Sequence, residues 1–237
     1  PGWMLLSYGK KVSVSSSLEG YPAENIVDED ARTAWVAQSN RDMEWAQVDL
    51  QRLSSIHAIQ VNFDEYGANQ KGAVSGVYQS YLIYASVNGE DWSLVVDYGT
   101  KKTDTPHDYI EFEEPFKARY IKLQNKEYMV SENFSVRDLR IFGKGQGSTP
   151  RAVNDFTVER DEADPCKARL CWEAVPDAQG YIVRYGIAGD KLYNNFQVMG
   201  ENTLEIGSLN KGVAYYFTID AYNENGITRT SRIKVCR

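Results

Sequence analysis

Cysteine is almost missing from this chain. The three present in 237 residues, Cys166, Cys171 and Cys236, allow at most one internal disulfide, and none stands in the CxxC spacing that zinc or redox chemistry uses. Histidine is scarcer still. His57 and His107 are too few and too far apart for a zinc site; His57 is expected as a half-buried strand residue, and His107, in "DTPHDY", as a polar corner where a loop enters a strand. No apolar run approaches the ~20 residues of a membrane span, so membrane insertion is not expected. Basic charge does not dominate either: a net charge of -7 opposes nucleic acid, whose binding rests on neutralising phosphates with Lys and Arg. The opening "PGWMLLSYGKKVSV" has no basic, apolar leader, which implies a leader already removed or a stretch taken from within a longer chain. Also missing are a Ser-His-Asp spacing, a glycine-rich phosphate loop and a nucleophile elbow.

What is present is apolar, aromatic and patterned for strands. Hydrophobic residues make up 42% of the chain and aromatics 12%, enough for packed cores. Runs such as "WAQVDL" (45–50), "IHAIQVNF" (56–63), "YLIYASV" (81–87), "SLVVDY" (93–98), "YIEFE" (109–113), "YIKLQ" (120–124) and "DLRIF" (138–142) alternate or carry β-branched and aromatic residues. No window keeps a helical apolar stripe for three turns. Asn88-Gly89 between two of these runs predicts a type I' hairpin. The strongest break is "FGKGQGSTPRAV" (142–153), where Gly143, Gly145, Gly147, Ser148 and Pro150 precede a restart of the apolar alternation. The chain is therefore expected as two β domains, 1–145 and 150–237. Charge divides with them: residues 1–145 hold 15 basic and 21 acidic residues and residues 146–237 hold 11 and 12, so the acidity belongs to the first part.

The second part reads as about seven short strands in a sandwich. Trp172 stands where a large side chain would fill the space between sheets. Leu209 lies six residues before Tyr215, the spacing of a tyrosine corner, in which the phenolic hydroxyl bonds to upstream backbone.

In the first part, "NIVDEDARTAWVAQ" (25–38) places Asp28, Glu29 and Asp30 together, and like charges this close need a cation, donors or solvent to compensate them. An EF-hand is excluded, since its sixth and twelfth positions would be Thr33 and Ser39 rather than Gly and Glu. A catalytic carboxylate pair is disfavoured because neighbours on one turn rarely aim at one substrate atom. Two readings stay open: calcium, which accepts a loose mixture of carboxylate, hydroxyl and carbonyl oxygens from Asp28, Asp30, Thr33 and the Asn25 carbonyl, and an acidic turn held by Asx-type hydrogen bonds.

Five ordered stretches, "NIVDEDARTAW", "EWAQVDL", "YASVNGEDW", "ARYIKL" and "VRDLRIFG", make residues 6–143 resemble a discoidin, or factor 5/8 type C, domain, the fold shared with family 32 carbohydrate-binding modules. From about Pro150 onward, Trp172, Tyr185 and the Leu209–Tyr215 spacing resemble a fibronectin type III domain. The fold class implied is all-β: a discoidin-like jelly-roll sandwich followed by an immunoglobulin-like sandwich. The first resemblance also implies structural Ca2+, with Asp138 as a ligand from the end of the domain. A metal held by Asn25, Asp28, Asp30, Thr33 and Asp138 would then clasp the first strands to the last. Glu29 stands where the family usually has Gly and is expected to face solvent. Trp35, Trp45 and Trp92 fall in core motifs and are expected to be buried.

Sugar binding calls for an exposed ring together with amide, carboxylate or Arg groups on end loops. The loops "QSNRDMEW" (38–45), "DEYGANQKGAVSGVY" (64–78) and "NKEYMVSENF" (125–134) supply Arg41, Tyr66, Asn69, Gln70, Tyr128 and Asn133 as candidates. The whole pattern looks like the C-terminal portion of a bacterial extracellular glycoside hydrolase of the family 43 type. That implies a non-catalytic accessory region, secreted, periplasmic or at the cell surface, tethering a covalently linked N-terminal glycosidase domain to polysaccharide or glycan. The competing expectation is a docking or spacer module that packs on the catalytic domain without binding sugar. Adhesion to lipid or cell-surface protein, as in animal discoidin domains, is disfavoured because residues 1–145 contain no cysteine to pin the termini.

Overall fold

A computed structural model of the chain describes residues 2–68 and 76–237. Its contacts divide the chain into two units, residues 3–146 and 147–237. Among the described residues no helix is long and apolar enough to cross a membrane.

The first unit contains β1 (Met4–Leu5), β2 (Lys11–Val14), a turn of 3-10 helix (Ala23–Val27), β3 (Trp35–Val36), β4 (Trp45–Phe63), β5 (Gln79–Ser86), β6 (Ser93–Tyr98), β7 (His107–Tyr128) and β8 (Ser135–Gly145). The strand order is β1-β8-β4-β7-β5-β6, with β2 beside β4 and β3 beside β8. "WAQVDL" and "IHAIQVNF" prove to be one strand. β4 pairs with β2 and β7 along Trp45–Asp49 and with β8 and β7 from Ser54 on, with a register shift between. Gln51, at φ 67, lies at that shift. The strand thus belongs to both layers of a jelly-roll β-sandwich, and β7 likewise joins "YIEFE" and "YIKLQ". The short helical turn is a second departure from expectation, too brief to leave a periodic signal.

Alternation along β4 sends Ala46, Val48, Ile56, Val61 and Phe63 inward. They meet Trp35, fully buried, whose ring stands edge-on to Phe134 at 5.8 Å. Trp45 and Trp92 are only half-buried; Lys122 lies over the Trp92 ring at 4.1 Å. Gly143 sets how closely β8 approaches β4: a Cβ there would meet the Ser55 carbonyl oxygen at 1.9 Å. The predicted type I' hairpin is not formed. Only Gly89 has positive φ, and the Asn88 side chain instead accepts the backbone N–H groups of Glu90 and Asp91, making a longer Asx-type loop.

The second unit contains β9 (Phe156–Arg160), β10 (Ala168–Trp172), β11 (Gly180–Gly186), β12 (Asn194–Met199), β13 (Thr203–Ile206), β14 (Tyr215–Asn223), β15 (Gly226–Thr228) and β16 (Lys234–Cys236). They form a three-stranded sheet, β13-β10-β9, and a five-stranded one, β12-β11-β14-β15 with β16 beside β14. Trp172 and Tyr181 meet edge-on at 5.1 Å in the core. The Tyr215 hydroxyl accepts the Asn210 backbone N–H at 3.2 Å. Cys166, Cys171 and Cys236 are all free thiols.

Candidate functional site

The turn between β3 and β4 borders an open concavity of the first unit. Ser15, Ser16, Gln38, Ser39, Arg41, Asp42, Met43 and Glu44 line a cavity of about 530 Å3 there. Its rear wall is built around one carboxylate. Glu44 accepts from the hydroxyls of Ser16 at 2.8 Å and Ser39 at 2.7 Å, and from that of Ser15. Three hydroxyls fix its orientation.

The backbone of the turn is fastened from below. Asn125, fully buried on β7, donates its side-chain amide to the carbonyls of Asn40 and Arg41 at 2.8 and 2.9 Å. Asn40 in turn donates to the carbonyls of Tyr128 and Ser131. These bonds let Met43 adopt φ 81 with 62% of its surface exposed, a left-handed conformation that costs a non-glycine residue and tends to mark function. Asp42 pairs with Lys126, and that hydrogen bond raises the Lys126 ammonium above its usual range. Arg41 carries an exposed guanidinium at the rim. A fixed carboxylate, an amide, a guanidinium and hydroxyls around an apolar Met suit hydroxyl-rich, weakly amphipathic ligands.

Of the four expected sugar contacts that lie among the described residues, Arg41 alone lines this cavity. Tyr128 is a correction. Its ring is 1% exposed, against Phe63 and Phe134, and its hydroxyl donates to the Asp64 carbonyl, so it cannot stack on a ligand. β7 runs farther than its apolar alternation suggested and carries Tyr128 into the core. Asn133 is half-buried and spends its side-chain amide on the Ala37 carbonyl at 2.8 Å, bracing the turn rather than facing a ligand. Tyr66 packs edge-on against Tyr21 at 4.9 Å. Asn69 and Gln70 lie outside the described residues. Glu44, Ser15 and Ser16 were missed, because nothing in a serine run announces that it will meet a carboxylate 28 residues on.

The acidic turn at 28–33 is a different object. Asp28 accepts the Asp30 N–H at 2.9 Å and the Thr33 hydroxyl at 2.7 Å. Both Asp30 oxygens take the Arg32 guanidinium, which holds the Asp30 carboxyl down at about 2. The Asn25 amide donates to the Ala34 carbonyl at 2.8 Å. Glu29, expected in solvent, instead takes Arg140 of β8 in a two-pronged ion pair at 3.0 and 2.8 Å. Asp138 accepts from Asn62 at 2.8 Å. Among the described residues no three acidic, His or Cys side chains gather in one cluster. Of the set Asn25, Asp28, Asp30, Thr33 and Asp138, the three carboxylates thus have partners within the chain: Asp28 the Thr33 hydroxyl, Asp30 the Arg32 guanidinium and Asp138 the Asn62 amide. His107 meets Asn62 Oδ1 through Nδ1 at 3.1 Å, and His57 stacks on Trp3 at 5.0 Å.

The family profile of the F5/8 type C domain matches residues 11–138, more than half of the chain. Rat lactadherin is 33% identical over 110 residues, 44% of this chain and 25% of its own length, and mouse lactadherin 32% identical over 110 residues. The chain thus spans about a quarter of the length of the curated relatives it matches. Among solved structures, chitosan-binding module 2 of a chitosanase/glucanase from Paenibacillus sp. IK-5, in complex with chitotriose, superposes with a TM-score of 0.50 at 20% identity, over 58% of this chain and 99% of that one. CpGH89 of Clostridium perfringens, in complex with its substrate GlcNAc-alpha-1,4-galactose, also gives a TM-score of 0.50 at 20% identity, over 61% of this chain and 15% of that one. These two likenesses concern the fold.

Proposed function

This chain belongs to the F5/8 type C domain family, and from that premise we propose that its first unit is a non-catalytic carbohydrate-binding module whose ligand enters the 38–44 cavity. The observation that carries the reading is the Glu44 carboxylate, oriented by three serines beside Arg41 and the strained, exposed Met43. In such a site a pyranose lays an apolar patch on Met43 while vicinal hydroxyls bridge Glu44, Gln38 and Arg41. The chitotriose complex of a similarly folded module supports a sugar as the ligand class. Isothermal titration against chitotriose, arabinan, xylan and galactose-terminated glycans tests it. We expect binding by at least one of these, lost in Arg41→Ala with the melting temperature unchanged; a flat response from folded protein favours the docking role instead.

We read the second unit as a fibronectin type III domain, on the strength of Trp172 in the core and the Tyr215–Asn210 bond. The whole we take as the C-terminal part of a secreted bacterial glycoside hydrolase of the family 43 type, with a glycosidase domain preceding it. CpGH89, in which a similar fold occupies a small share of a much longer chain, is a precedent for that layout. Tethering raises local substrate concentration without a catalytic contact. Removing residues 1–145 from the full-length enzyme should slow attack on insoluble polysaccharide while leaving hydrolysis of a small aryl glycoside intact. Equal loss on both substrates would argue for a docking role.

A further inference from the structure

Glu29 in the turn at 28–33 and Arg140 in strand β8 are 111 residues apart in sequence, and a two-pronged ion pair joins them directly: Arg140 Nε and Nη2 on Glu29 Oε1 and Oε2, at 3.0 and 2.8 Å. We propose that this ion pair is the clasp of the first unit, doing without metal the work that bound calcium was expected to do.

Three independent features point to it. First, Glu29 sits at φ 60, a left-handed backbone that disfavours any residue with a Cβ, and that conformation turns its carboxylate toward β8 rather than solvent. A residue with no task at such a position would be better as glycine. Second, the pair is partly withdrawn from water, with side-chain exposures of 31% for Arg140 and 22% for Glu29, so it is screened less than a surface pair. Third, Arg140 is the head of a relay. Its Nη1 donates to Gln60 Oε1 at 3.1 Å, Gln60 Nε2 donates to Asn62 Oδ1 at 3.1 Å, and Asn62 Nδ2 donates to Asp138 Oδ2 at 2.8 Å. Gln60 faces Arg140 and Asn62 faces Asp138 across the β4–β8 ladder, so the relay follows the strand register. The turn is thus connected to Asp138, but through a guanidinium and two amides.

Electrostatics argues the same way. Asp28, Glu29 and Asp30 bring three negative charges; Arg140 brings a partly buried positive charge to the same turn and Arg32 one on a side chain that is 88% exposed. A divalent cation drawing on Glu29 would have to displace the Arg140 guanidinium. The charged and titratable groups that face the clasp are thus Asp28, Asp30, Arg32, Arg140, Asp138 and, through Asn62, His107.

Thermal unfolding of the intact two-unit chain tests this. Excess EDTA and millimolar CaCl2 should each leave the melting temperature of the first unit unchanged, and elemental analysis should find no stoichiometric calcium. Glu29→Gln and Arg140→Gln should each lower it by roughly 3–6 °C, with their double variant losing less than the sum, because each change strands the other's partner. Glu29→Gly gives the sharpest sign: if Glu29 were a bystander, glycine would relieve its backbone and raise the melting temperature, whereas loss of the clasp lowers it. A drop in melting temperature with EDTA, stoichiometric calcium in purified protein, or stabilisation by Glu29→Gly would overturn the proposal.

Discussion

Two acidic turns lie about a dozen residues apart in the first unit and have opposite fates. At 28–33 every carboxylate is answered from within: Asp28 by Thr33, Asp30 by Arg32, Glu29 by Arg140. At 38–44 the carboxylates are oriented but left beside open space, with Arg41 and Met43 exposed around the cavity. The denser charge in sequence therefore belongs to the structural turn and the sparser to the candidate site. Both turns are compensated from within the chain, Glu44 by three serines and Asp42 by Lys126; what differs is the open space and the exposed Arg41 and Met43 beside the second.

The comparison can be broken most severely at Trp35, which stands between the two turns and donates its indole N–H to the Ser16 carbonyl and the Ser17 hydroxyl. Trp35→Ala should cost about 3–5 kcal/mol, read as a fall in the denaturant midpoint of the first unit, and should disorder both turns together. Asn125→Ala separates them. It removes the two bonds to the Asn40 and Arg41 carbonyls, costs about 1–3 kcal/mol, and should weaken glycan binding while the methyl and amide signals of residues 28–33 stay where they are. Tyr215→Phe is the control in the second unit. It removes one bond to the Asn210 N–H, costs about 1 kcal/mol, and should leave glycan affinity untouched. The smallest effect belongs to Asp30. Arg32 depresses its carboxyl to about 2 from an ordinary 3.8, so its contribution to stability is present above the ordinary value and lost as pH falls toward 2. Being exposed, it should titrate near 2 by NMR, and Asp30→Asn should leave the melting temperature unchanged.

The β architecture was legible because inward positions repeat with period two along β4, β7 and β14 and because the Gly-rich 142–153 stretch interrupts that period. Edge elements were not. β12, "NNFQVM", exposes four residues in succession and so carries no alternation, and β1 and β3 are two residues long. The candidate loop 38–45 could be named from composition, but its inner wall could not: Glu44 meets Ser15 and Ser16 only because β2 pairs with β4. Glu29 was misread for a similar reason. Its partner Arg140 is visible only as one of two arginines on a strand, and only the β8 register brings it to Glu29. Tyr128 was misjudged by its polar neighbours in "NKEYMVSENF", which hid the end of a strand whose alternate residues are buried.

The most direct test follows backbone amide shifts in an isotope-labelled sample titrated with the best-binding glycan of the panel. Perturbations should cluster at Ser15, Ser16, Gln38, Ser39, Arg41 and Met43 and spare residues 25–33. Shifts centred on residues 25–33, or confined to the second unit, would contradict the assignment of the open turn as the binding site.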